Sequence, residues 1–101
     1  MDNCSVLVGR LCRQPEHSES PAGIPHSVLV LEHRSIQHET GLQRQVYVRI
    51  QVVAAGTEFQ PITRKLTLGD TLKVTGFLSR HQSRSGQAKL VLHAQRIEQI
   101  S

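Results

Sequence analysis

The chain has 101 residues and a net charge of +4, which is enough length for one hydrophobic core and one domain over residues 1–101. No apolar run approaches the ~20 residues needed to span a bilayer. The pI is 9.7 and the charge is uneven: no acid lies between Asp70 and Glu98, an interval that holds Lys73, Arg80, Arg84, Lys89 and Arg96, so the block either faces a polyanion or is a solvated basic face.

The opening Met1-Asp2-Asn3-Cys4 carries an acid and no basic segment, unlike a signal peptide. Residues 3–13 alternate loosely around Gly9 and read as a first, curved strand. Cys4 and Cys12 flank it, ~26 Å apart along extended chain and so outside disulfide reach. Reduced thiols and a cytoplasmic location are expected. Residues 14–26, rich in Pro, Ser and charge, read as a loop or wide turn. The Pro-Gly-Pro turn of Pro21, Gly23 and Pro25 feeds an apolar run, Val28 to Leu31. That second strand, about 26–35, breaks into charge at Glu32, His33 and Arg34, where it leaves the core for solvent.

Residues 36–43 are polar with Gly41 near the end, and read as a hairpin loop. The third strand, 44–54, is the cleanest: Val46, Val48, Ile50, Val52 and Ala54 on one face, Tyr47, Arg49 and Gln51 on the other. In 55–69, Pro61 opposes a long helix, which leaves one helical turn or irregular chain. The fourth strand, 71–80, alternates Leu72, Val74, Gly76 and Leu78 against Lys73, Thr75, Phe77 and Ser79. Residues 81–87 form a basic hairpin loop with Gly86 as the turn residue, and 88–97 is the fifth strand. Five strands with a non-strand connection between the third and fourth predict an all-β, five-stranded Greek-key OB-fold barrel. Another small barrel or a sandwich is the competing architecture.

Catalysis has little to build on. The chain lacks a Gly-rich phosphate loop, GxSxG and HExxH. Six histidines (His17, His26, His33, His38, His81, His93) are scattered, and none pairs with a cysteine at zinc-ligand spacing. The expectation is a binding protein, not an enzyme, with no metal and no cofactor. Tyr47, Phe59 and Phe77 are the only aromatics. Phe59, beside Pro61, reads as packing. Tyr47 and Phe77 sit on polar faces, where bases of single-stranded nucleic acid stack for roughly 1–3 kcal/mol each. Arg34, Arg44, Arg49, Arg80, Arg84 and Lys89 are placed to meet phosphates without reading sequence. Three of these have a plainer reading: Phe77 under the 55–69 segment, Tyr47 in a dimer interface, Arg34 paired with Glu32 or Glu39. At the level of function, the rivals are a protein-interaction adaptor with a basic face and a cold-shock-like RNA-binding domain. The second is disfavoured by so few aromatics.

The segments PAGIPHSVLVLEHRSIQ, HETGLQRQVYVRIQV and VTGFLSRHQSRSGQAKLVLHAQRIEQI resemble the primosomal replication protein N (PriB) family of single-stranded-DNA-binding OB domains over essentially the whole chain. The resemblance implies an OB-fold homodimer that binds single-stranded DNA in replication restart. It also implies contacts with the PriA helicase and DnaT, with the single-stranded DNA-binding protein SSB as a further partner. Arg34, Phe77 and Lys89 match the family's binding pattern. Tyr47 stands for a tryptophan and Arg84 for a lysine. Leu42 replaces an aromatic, and Ser18 and Gln82 stand where lysines are common. Weaker DNA binding with a shallower salt dependence than in the fuller pattern is therefore expected.

Overall fold

The computed structural model describes residues 1–101. In chain order it has β1 (Ser5–Leu11), β2 (Glu16–Glu19), β3 (Pro25–Glu39), β4 (Leu42–Ala55), a 3-10 turn (Thr57–Phe59) leading into α1 (Gln60–Thr63), β5 (Thr71–Gln82) and β6 (Ala88–Gln99). Neighbours along the sheet run β1-β5-β6-β4-β3-β2, and β1 also pairs with β3. That second pairing closes five strands into a barrel. All contacts are antiparallel except β4 with β6. This is the Greek-key OB topology expected from the sequence. No helix is long and apolar enough to cross a membrane.

Alternation builds the core. The inward positions Leu11, Leu29, Leu31, Val52, Ala54, Leu72, Val74, Leu92 and Ile97 form one cluster, which Phe59 and Leu66 of the β4–β5 connection join. Phe59 is thus packing, as its place beside Pro61 suggested. Buried polarity is answered: Ser27 Oγ donates to Thr63 Oγ1 at 3.2 Å, which ties α1 to β3. The two strand glycines permit close approach. A Cβ at Gly9 would lie 2.9 Å from the Glu32 carbonyl oxygen, where β1 closes on β3. At Gly76, beside a β-bulge, it would fall on the His93 carbonyl, 2.8 Å from the carbonyl carbon.

Three expectations about loops need correction. Residues 36–43 are not a loop but the end of β3 and the start of β4, paired to the last residue at Glu39↔Leu42. The turn is only Thr40 and Gly41, both at positive φ (50° and 76°), as a two-residue hairpin requires. Residues 14–26 contain β2, which pairs with the start of β3. β1 and β2 share one edge of β3, interrupted near Pro15, which has no amide to give to a ladder. The 81–87 loop narrows to 83–87, because β5 extends through Gln82.

Candidate nucleic-acid interface

Strand alternation and register decide what shares the outer face of β3, β4, β6 and β5. Arg34 lies opposite Tyr47, and Glu32 opposite Arg49. Gln51 is beside Val91, Ser79 is opposite Val91, Phe77 opposite His93, and His81 opposite Lys89. Tyr47, Arg49, Lys89, His81, His93 and Phe77 are therefore on one continuous surface with Arg34. Both rings are open to solvent, Tyr47 at 51% and Phe77 at 37% exposure. From strand spacing and rise they are roughly 20 Å apart, too far for neighbouring bases, so one strand touching both must cross β4, β6 and β5.

Each ring has one face already occupied. The Arg34 guanidinium sits 4.6 Å from the Tyr47 ring centre. Arg34 Nε donates to Glu32 Oε1 at 3.1 Å, with Nη2 at 3.0 Å. The Tyr47 hydroxyl donates to Glu32 Oε2 at 3.4 Å. So Arg34 does pair with Glu32, yet it stays 72% exposed. Phe77 stacks on the His93 ring, centroids 4.9 Å apart and planes 8° from parallel, and has no place in the core cluster. An open depression of about 420 Å³ is lined by Arg34, Ser35, Ile36, Gln45, Val46 and Tyr47. Another, of about 440 Å³, lies at the β5–β6 hairpin and includes Gln51, His81 and Lys89.

The remaining expected residues spread around this face. Lys89 Nζ donates to Gln51 Oε1 at 2.5 Å, bridging β6 to β4. Arg49 is exposed opposite Glu32. Arg84 is exposed at the β5–β6 tip. Arg44 and Arg80 have the other strand parity, on arms that project past the core. Arg44 Nε is 3.8 Å from Glu39, and Arg80 is opposite the exposed Leu90. Of the two positions lacking the common lysine, Gln82 is at the tip end. Ser18 pairs with His26, which pairs with Ala55, at the opposite end of the barrel.

Sequence reasoning put Gln51 on the face of Tyr47 and Arg49 and named Glu32 as a partner for Arg34, but it missed His81 and His93 as members of this surface. Counting pairs back from the Gly86 turn sets His81 opposite Lys89 and His93 opposite Phe77, so nothing in the sequence disclosed that the two histidine Nε2 atoms are 2.8 Å apart.

Residues 3–96 match the model of a family described as another single-strand binding protein family. The replication restart protein PriB of Photorhabdus laumondii is 52% identical over 98 residues, covering 97% of this chain and 93% of that one. The protein of the same name from Escherichia coli O1:K1 is 47% identical over 100 residues, covering 99% and 96%. Among solved structures, PriB from Ralstonia solanacearum superposes with a TM-score of 0.82 at 25% identity over all of both chains. The wild-type single-stranded DNA binding protein of Thermus aquaticus gives 0.82 at 22% identity, over 98% of this chain and 50% of that one. That likeness bears on the fold alone.

Proposed function

The chain belongs to this single-strand binding protein family, and on that premise we propose that it is a non-enzymatic, cytoplasmic single-stranded-DNA-binding protein of replication restart. The observation that carries the reading is the outer face of β3, β4, β6 and β5, with two exposed rings set among cations. A strand would cross from Tyr47 to Phe77. Arg34, Arg49, Arg84 and Lys89 would meet its phosphates, with Arg44 and Arg80 reaching it from the sides of the arms. Stacking and phosphate contact read no base edges, so binding would be largely indifferent to sequence.

The reading extends to partners. Like the family it resembles, the chain would work as a homodimer and engage the PriA helicase and DnaT, and SSB, through the same basic face. The first strand is the proposed dimer contact. Only Arg10 and Leu11 of β1 pair with β3, so the backbone ladder to β3 stops short of residues 5–9, where the His33 Nδ1 meets the Val8 carbonyl oxygen at 2.6 Å. Leu7 packs against the core, whereas Val6 and Val8 face outward at 56% and 42% exposure. Val8→Asp should therefore convert a dimer to a monomer in analytical ultracentrifugation, and an unchanged dimer would move the interface elsewhere.

The test of the main reading is fluorescence anisotropy of labelled oligo-dT across strand length and salt. Binding should tighten with length, and log K should fall with log salt by about 0.7 for each phosphate neutralised. No binding at low salt would refute single-strand binding and leave the basic face to protein partners.

A further inference from the structure

His81 and His93 are assigned no part in the interface by the reading above, yet they sit inside it. Lys89 faces His81 across the hairpin and Phe77 faces His93. Their Nε2 atoms, 2.8 Å apart, are joined through a single hydrogen, one ring donating and the other accepting. A second proton there would set two N–H groups against each other. Burial first, and then the neighbouring His81, push His93 below its ordinary value of 6.5.

The surroundings offer no carboxylate to stabilise a charged pair. β6 is packed by β5 and β4, and β5 by β1. The charged groups on these strands are Arg10 on β1, Arg44 and Arg49 on β4, Lys73 and Arg80 on β5, and Lys89 and Arg96 on β6. The one acid among them, Glu98, is paired with Arg96 at 3.2 Å. Ahead of β1, exposed Asp2 adjoins Asn3, whose side chain is bonded to the Leu78 backbone. The pair lies beside cations and has no counter-ion of its own, so an anion arriving from outside would supply the charge that holds an added proton.

We propose that the His81–His93 pair is a phosphate-binding part of the single-strand interface, and that a strand bound there takes up a proton from solvent. The inference rests on the single-strand reading. In the free protein the two Nε2 atoms share one N–H. A phosphodiester crossing from Phe77 towards Lys89 supplies the missing negative charge. One histidine then binds a proton, breaks the imidazole–imidazole bond and donates to the phosphate oxygen. His93 keeps its stack on Phe77, so the ring platform and the phosphate contact form one unit.

Linkage sets the sign. The bound state holds more protons than the free state, so affinity rises as pH falls, by at most about tenfold per pH unit for one proton. The experiment is oligo-dT anisotropy at constant ionic strength from about pH 8 to about pH 6, on the full chain and on His81→Gln and His93→Gln. Each variant's own affinity at the upper pH is its reference. The chain should tighten about three- to tenfold over this range, and either substitution should remove most of that gain. His81 is exposed, so His81→Gln keeps the test open should His93→Gln unfold. Calorimetry of the same titration in two buffers of different ionisation enthalpy should show proton uptake that the variants lose. Binding without pH dependence, or with a dependence that survives in His81→Gln, overturns the inference and leaves the single-strand reading standing. No binding at any pH refutes that reading itself.

Discussion

Glu32 lies in the middle of a face read as a polyanion site, and its removal is the sharpest test of how that face is organised. It holds Arg34 through Nε at 3.1 Å and Nη2 at 3.0 Å, and it accepts from the Tyr47 hydroxyl at 3.4 Å. For Arg34 to meet a phosphate it must give up this carboxylate. With Arg34 72% exposed and Glu32 30% exposed, the pair is an exposed one, worth about 0.2–1 kcal/mol. Glu32→Gln keeps the shape and an acceptor for Tyr47 but removes the charge. Oligo-dT affinity should therefore rise by about 1.4- to 5-fold. The salt slope should steepen by up to about 0.7, one more phosphate answered. The gain should shrink at high salt, as screening already loosens the pair in the parent chain. In an Arg34→Ala background the same substitution should bring little gain, because no guanidinium is left to release. A folded Glu32→Gln protein that binds no better, with an unchanged slope, would refute the placement of Arg34 in the phosphate path.

Tyr47→Ala should weaken oligo-dT binding by about 1–3 kcal/mol, roughly 5- to 150-fold, while a contact with a protein partner that rests on charge alone should be spared; equal loss of both would show that the ring is not a base platform. Gly76→Ala should lower the melting temperature, at a cost of about 1–3 kcal/mol, because the new Cβ meets the His93 backbone and not a movable side chain; an unshifted melt would mean that the bulge can slide. Amide exchange should be fast at residues 36–45 and slow at Leu29, Val52, Leu72 and Leu92, since the arm has a ladder but no core under it; uniform protection along β3 and β4 would contradict that division.

What was legible in the sequence follows from where one face is buried and the other is not. β4 over 46–54 and β5 over 72–78 separate water from core, so alternation marked both and predicted their faces correctly. The same logic fails where both faces are wet. Residues 36–39 are exposed throughout, so their strand state shows only in hydrogen bonds to β4 and not in the side-chain pattern. β2 is four exposed residues, Glu-His-Ser-Glu, held by the edge of β3 alone. For the site, single strands disclosed Tyr47, Arg49 and Phe77 as outward residues. Contacts between strands were hidden, and these are Arg34 over its register partner Tyr47 and the side-chain contacts of Lys89 with Gln51 and of His81 with His93. Each joins residues that have no periodic relation within one strand.

The barrel and the proposed binding face use different parts of the same strands. Inward residues are buried from Ser27 to Leu31 on β3 and from Val52 to Ala54 on β4, then the strands continue into solvent as a two-stranded arm. β5 and β6 do likewise beyond Ser79 and before Val91. The result is elongated: a radius of gyration of 14.6 Å and a longest extent of 50 Å, against about 13 Å for a compact chain of this length. Burying more of these arms would stabilise the fold but would cover Tyr47, Arg49 and Lys89. Holding them by backbone ladders instead keeps cations and rings in water while the register, anchored in the barrel, still fixes which of them stand together. A bound strand lying across both arms would add the contacts that the arms lack. If amide exchange shows the arms to be the less protected part of the sheet, binding and ordering of the arms are one event.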